Sequence, residues 1–166
     1  MKRVLLIAVL VFVGAVAYAA PPNSCDLHGT WVGEVDESAG GGRWLATYHG
    51  RTRTKGTLEL QFLDVSANLG PPFDAERFSP TKGVWERTGR RSYVYTMVTY
   101  GVDSLGYTYY SAENTGAIVL SEDCNSMTVD ACLEYIAPNG TPFFCVCGAT
   151  ATATRLELQE PCAPLQ

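Results

Sequence analysis

The chain has 166 residues, 46% of them apolar and only 17% charged, which gives one domain with enough apolar residues for a core and excludes a disordered chain. It carries 12 basic against 17 acidic side chains. An acidic balance of this kind argues against nucleic acid as a partner, since such binders present a basic domain.

Read from the N-terminus, residues 1–20 begin with Lys2 and Arg3, continue through an unbroken apolar run from Val4 to Val13, and reach a small-x-small site at Ala17-Tyr18-Ala19. This pattern predicts a secretory signal peptide over residues 1–19 and a single domain over 20–166. Removal of Lys2 and Arg3 leaves 10 basic against 17 acidic residues, a net charge of −7. The leader is at the lower length limit for a membrane span, and the small-x-small site argues against retention, so no stable membrane anchor is expected. The expected location is secreted or periplasmic.

Six cysteines follow the leader: Cys25, Cys124, Cys132, Cys145, Cys147 and Cys162. An even number in an exported chain implies disulfides rather than metal ligation. Cys145-x-Cys147 with no nearby histidine lacks zinc-site spacing, so no metal or cofactor is implied.

Alternating apolar and polar residues between Gly, Pro and Asn turns predict eight strands. They cover Gly29–Asp36, Arg43–His49, Thr57–Val65, Val84–Arg87, Ser92–Tyr100, Tyr107–Leu120, Ser126–Ile136 and Thr141–Leu158. The last is long, and Gly148 marks an expected bend or bulge. One connection is long: Ser66 to Lys82, with a helical turn expected over Asp74–Phe78 and with Phe73 and Phe78 as its apolar residues.

Eight short antiparallel strands predict an all-β, up-and-down barrel. The first strand opens Gly29-Thr30-Trp31 and the last ends Ala153-Thr154-Arg155-Leu156. This resembles the calycin pattern of lipocalins, fatty-acid-binding proteins and avidins, in which a Gly-x-Trp begins the first strand and a basic residue of the final strand packs across the indole. With Gly83-Val84-Trp85 in the middle, the pattern is most similar to secreted bacterial lipocalin-like proteins of unassigned function. The opening Cys25 to Trp31 is also similar to avidins, but Val32–Ser38 has no counterpart of their biotin-binding residues. The resemblance implies that Trp31 and Arg155 form a structural pair at a closed end.

In an eight-stranded barrel the interior is either filled or holds one small ligand. Tyr93, Tyr95, Tyr107, Tyr109 and Tyr110 lie on adjacent strands and would form an amphipathic lining. Candidate ligand-binding residues are Trp85, Tyr93, Tyr95, Phe62, Phe73 and Phe78, with the mouth under the Ser66–Lys82 loop. His28 and His49 read as surface or capping residues, and Glu34, Asp36 and Glu37 as a solvated outer face. No nucleophile–base set and no phosphate loop are present, so no catalytic residue is assigned. The rim that carries the termini gathers Arg51, Arg53, Lys55, Arg90 and Arg91 beside Glu122, Asp123 and Glu160.

The leading expectation is a secreted barrel holding one small apolar or amphipathic molecule. The alternatives are a filled barrel acting through its surface, or a cyclase or isomerase on a barrel of the allene-oxide-cyclase type. The same topology places Cys25 and Cys162 at one end, where a bridge between them is expected and Cys124 competes. A two-residue turn at Asn139-Gly140 sets Cys132 opposite Cys147, and a four-residue loop sets it opposite Cys145. A three-residue loop would send Cys132 to the wrong face.

Overall fold

The structure is a computed structural model, and it describes residues 25–37, 41–63 and 77–157. Nine strands form one antiparallel sheet: β1 Gly29–Val35, β2 Arg43–Gly50, β3 Lys55–Phe62, β4 Arg77–Phe78, β5 Thr81–Arg87, β6 Ser92–Val102, β7 Thr108–Leu120, β8 Ser126–Ile136 and β9 Pro142–Arg155. Each long strand pairs with its sequence neighbour, and β1 pairs with β9 to close the sheet into an eight-stranded up-and-down barrel. The expected fold class is therefore the observed one, and the architecture is consistent with a calycin-like fold.

The short β4 is the part that strand patterning did not anticipate. It pairs with Gly101 and Val102 of β6, and β5 resumes the same edge at Thr81. Pro80 lies between them and has no N–H for the ladder. Ser79 bridges the gap: its N–H donates to the Tyr100 carbonyl at 2.9 Å, and its hydroxyl accepts from the Tyr100 N–H at 3.0 Å. The expected loop thus ends earlier than Lys82, and Arg77–Phe78 are strand rather than the end of a helical turn. Residues 64–76, with Phe73, lie outside the described residues.

Alternation sorts side chains as the period of 2 requires. From β6, Tyr93, Tyr95, Met97 and Thr99 point inward; from β2, Trp44, Ala46 and Tyr48 do so. Two bulges set the register of β9. The β8–β9 loop has three residues, Pro138 to Gly140, since the Ala137 N–H donates to the Thr141 carbonyl. A register shift between Tyr135 and Ile136 takes up Phe143, so Cys132 faces Cys147 after all. A second shift at Gly148, where φ is +80°, puts Ala149, Ala151, Ala153 and Arg155 on the inward side. The three-residue loop was expected to misplace Cys132; one bulge cancels that offset.

Two disulfides staple the barrel, Cys25–Cys124 and Cys132–Cys147. The expected Cys25–Cys162 bridge is overturned. Cys124, in the turn after β7 with φ +64°, sits beside Cys25 with a Cα–Cα distance of 5.2 Å. Cys162 lies outside the described residues, and Cys145 is an exposed free thiol.

Candidate functional site

One end of the barrel is filled. Leu27, Trp31, Trp85, Tyr93, Ile118, Leu120 and Met127 are all at most 2% exposed there. The N-terminal segment crosses this end, so its backbone carbonyls need partners inside the protein. Four consecutive carbonyls find them: Cys25 accepts from the Tyr93 hydroxyl at 2.9 Å, Leu27 from the Trp31 indole N–H at 3.0 Å, and Asp26 and His28 from the Arg155 guanidinium. Arg155 also reaches the Cys124 carbonyl at 3.4 Å, and its Cζ stands 4.4 Å from the Trp31 ring centroid. Desolvation lowers the Arg155 pKa, against the opposing pull of Asp26. A planar donor fork stacked on an indole suits this position, because it meets carbonyls at its rim and an apolar face below.

Trp85 and Tyr93, expected in a ligand lining, belong to this packed end. The Trp85 indole donates to the Thr57 carbonyl at 3.2 Å and meets Tyr93 edge-on at 5.7 Å. His28 packs edge-on to Trp85 at 5.5 Å and pairs with Asp26 at 3.3 Å, consistent with a capping role. The basic rim is partly neutralised in place: Lys55 meets Glu86 at 3.0 Å and Arg91 lies 3.9 Å from Glu122. Glu160 lies outside the described residues. On the outer face, Glu34 is exposed and the Asp36 carboxylate accepts from the Thr150 hydroxyl.

The other half of the interior is hollow. A cavity of about 170 Å³ lies between Trp44, Leu60, Met97 and Tyr110 on one side and Ala131, Ala149 and Ala151 on the other. Strands β8 and β9 contribute Ala131, Ala149 and Ala151 to a lining that Trp44 of β2, Leu60 of β3 and Met97 of β6 share. Gly116 lets the Tyr95 ring and the Asp130 carbonyl approach, to positions that a Cβ would occupy.

Tyr95, Phe62 and Phe78 line the cavity; Tyr107 and Tyr109 are 70% and 51% exposed and take no part. Tyr110, expected in the tyrosine lining, is there as well, while Tyr48, Met97, Asn114 and Tyr135 also line the cavity and were not singled out from the sequence. Their signal was phase. Trp44, Ala46 and Tyr48 alternate in step with Leu58 and Leu60, and a register shift between Gly101 and Val102 accommodates the extra residue Tyr109, turning Tyr110 inward.

The polar groups in this wall are few. The Tyr95 hydroxyl donates to Asn114 Oδ1 at 2.9 Å, and the Thr81 and Thr99 hydroxyls share a hydrogen bond of 2.5 Å. Burial pushes the Tyr48 and Tyr95 phenols well above their usual pKa, and that of Tyr110 up to about 12. All three stay protonated and able to donate at neutral pH. Among the described residues no carboxylate or imidazole lines the cavity, and no three His, Cys, Asp or Glu side chains converge as a metal site. The arrangement can take up a small, largely apolar molecule and offer it a hydroxyl or amide at one edge. No protein-family model, curated protein or solved structure matches the chain.

Proposed function

We propose that this chain is a secreted or periplasmic carrier or scavenger of one small apolar or amphipathic molecule, held in the hollow half of the barrel. The observation that carries the reading is the division of the interior: large aromatic side chains fill one end, and alanines leave about 170 Å³ at the other. Export is supported by the leader pattern of residues 1–19 and is compatible with the two disulfides.

The volume narrows the ligand. Sites for drug-sized molecules run to roughly 300–1,000 Å³, whereas an apolar cavity of about 150 Å³ takes benzene. A long acyl chain does not fit this space, and a single ring with one polar substituent does. Asn114 and the Tyr48 phenol supply the matching polar edge.

The test is a titration with indole, read by NMR on protein labelled at the methionine methyls. Met97 lines the cavity and Met127 lies in the filled end, so one methionine reports binding and the other serves as an internal control. Indole is expected to shift the Met97 methyl alone, and Ala149→Phe to abolish the shift by filling the void. No response at Met97, or an equal response at Met127, would refute the reading.

A further inference from the structure

The edge of β9 that no described strand covers and the free cysteine on it belong together. Strand β1 accompanies β9 only as far as Val35 opposite Ala151, and the last hydrogen bond between them runs from the Asp36 N–H to the Thr150 carbonyl at 3.0 Å. Beyond it, residues Pro142 to Gly148 pair with β8 on one side, and among the described residues no strand pairs with them on the other. An unpaired edge presents backbone donors and acceptors to any incoming strand.

The register shows which groups face outward. The Cα atoms of Cys132 and Cys147 are 4.0 Å apart, the close spacing of a pair that exchanges no backbone hydrogen bonds. Alternation makes Cys145 opposite Glu134 a pair of the same kind. The N–H and C=O of both Cys145 and Cys147 therefore point away from β8, toward the free edge. Cys145 is the midpoint of the Pro142–Gly148 segment, and it is flanked by Phe144 and Val146, which are 43% and 36% exposed.

Among the described residues Cys145 has no disulfide partner, and Cys162 lies outside them. Four of the six cysteines are already bridged, which leaves Cys162. The Leu156 N–H is tied to the Thr30 carbonyl at the filled end, so six residues at most about 22 Å long lead from there to Cys162. Eleven residues of strand separate Leu156 from Cys145, about 33 Å once the bulge is allowed for. A disulfide spans at most about 7 Å between Cα atoms. The estimated reach of the tail falls short of that separation, and a cysteine left over on an exported chain points to pairing between molecules.

We propose that β9 pairs antiparallel with β9 of a second copy about a two-fold axis through Cys145, and that the two Cys145 thiols join as a disulfide. Self-pairing about residue 145 sets Cys145 directly opposite its symmetry mate, at the roughly 5.5 Å of a hydrogen-bonded pair, which lies within the normal range for a disulfide. The oxidation is balanced by a disulfide donor such as oxidised glutathione. Two thiols lose two protons and two electrons to form one S–S bond, and the donor is reduced to two thiols. This assembly is independent of the cavity and of what it holds.

The experiment uses the full chain treated with oxidised glutathione, followed by non-reducing peptide mapping and sedimentation. A dimer with a Cys145–Cys145 cross-link is expected. A monomer with Cys145 free or carrying only glutathione, or a Cys145–Cys162 bridge, would overturn the proposal. Two variants that lack the Cys145 thiol separate the edge from the cross-link. Cys145→Ser keeps the outward N–H and is expected to self-associate reversibly. Cys145→Pro removes it without touching the β8–β9 ladder and is expected to associate about tenfold more weakly, the loss of two hydrogen bonds. Equal association of the two variants would also overturn it.

Discussion

The contact between Trp31 and Arg155 provides a quantitative test of how the filled end is held. Trp31 is fully buried, donates to the Leu27 carbonyl at 3.0 Å, and carries the Arg155 guanidinium 4.4 Å above its ring. Removal of a buried tryptophan side chain costs about 3–5 kcal/mol. The orphaned Leu27 carbonyl and the lost stack place Trp31→Ala at the upper end of that range, about 4–5 kcal/mol. Arg155→Ala leaves the Asp26 and His28 carbonyls unsatisfied but is half-buried, so solvent replaces part of the loss and about 2–3 kcal/mol is expected. The stack is lost in either single variant, so the double variant should fall about 1–2 kcal/mol short of the sum. Urea unfolding followed by circular dichroism measures all three. With a slope near 2 kcal/mol per molar, Trp31→Ala should lower the midpoint by roughly 2 M. A cost below about 2 kcal/mol for Trp31→Ala, or additivity within about 0.3 kcal/mol, would refute the account of this end as a stacked plug.

The two disulfides should differ in weight. Cys25–Cys124 closes a loop with a sequence separation of 99 and Cys132–Cys147 one of 15, so chain entropy assigns them about 4.7 and 3 kcal/mol; thermal melts of the two paired serine variants should rank in that order. Tyr110 predicts an alkaline limit. Its pKa is about 12 when folded and 10.0 otherwise, so above pH 10 the unfolded chain binds fewer protons and stability falls up to about pH 12. Tyr110→Phe should make that decline shallower by about 1.4 kcal/mol per pH unit, measured as unfolding free energy from pH 10 to 12. Gly33→Ala would place a Cβ on the Trp44 indole and the Thr152 carbonyl. Overpacking of this kind costs about 1–3 kcal/mol, and because Trp44 lines the cavity, indole binding should weaken with it; an unchanged melt would show that the site has slack.

What the sequence by itself determined was what neighbouring residues decide. Alternation over Ser92–Tyr100 and Ser126–Ile136 sets which side chains share a face, since a strand repeats every two residues, and turn residues set where the chain reverses. The barrel, the Gly-x-Trp opening and the bulge at Gly148 were legible on those grounds. What only the tertiary structure decided depends on sums over distant strands. The bulge at Phe143 offsets a three-residue loop, and this brings Cys132 to Cys147. Cys25 meets Cys124 because the N-terminal segment crosses the end of the barrel where the turn after β7 lies. Trp85 and Tyr93 differ little in composition or pattern from Tyr95 and Tyr110, yet the first two are packed and the last two face a void. Height along the barrel makes that difference. It follows from strand stagger and from the alanines that β8 and β9 bring to the same level, and no single segment carries that information.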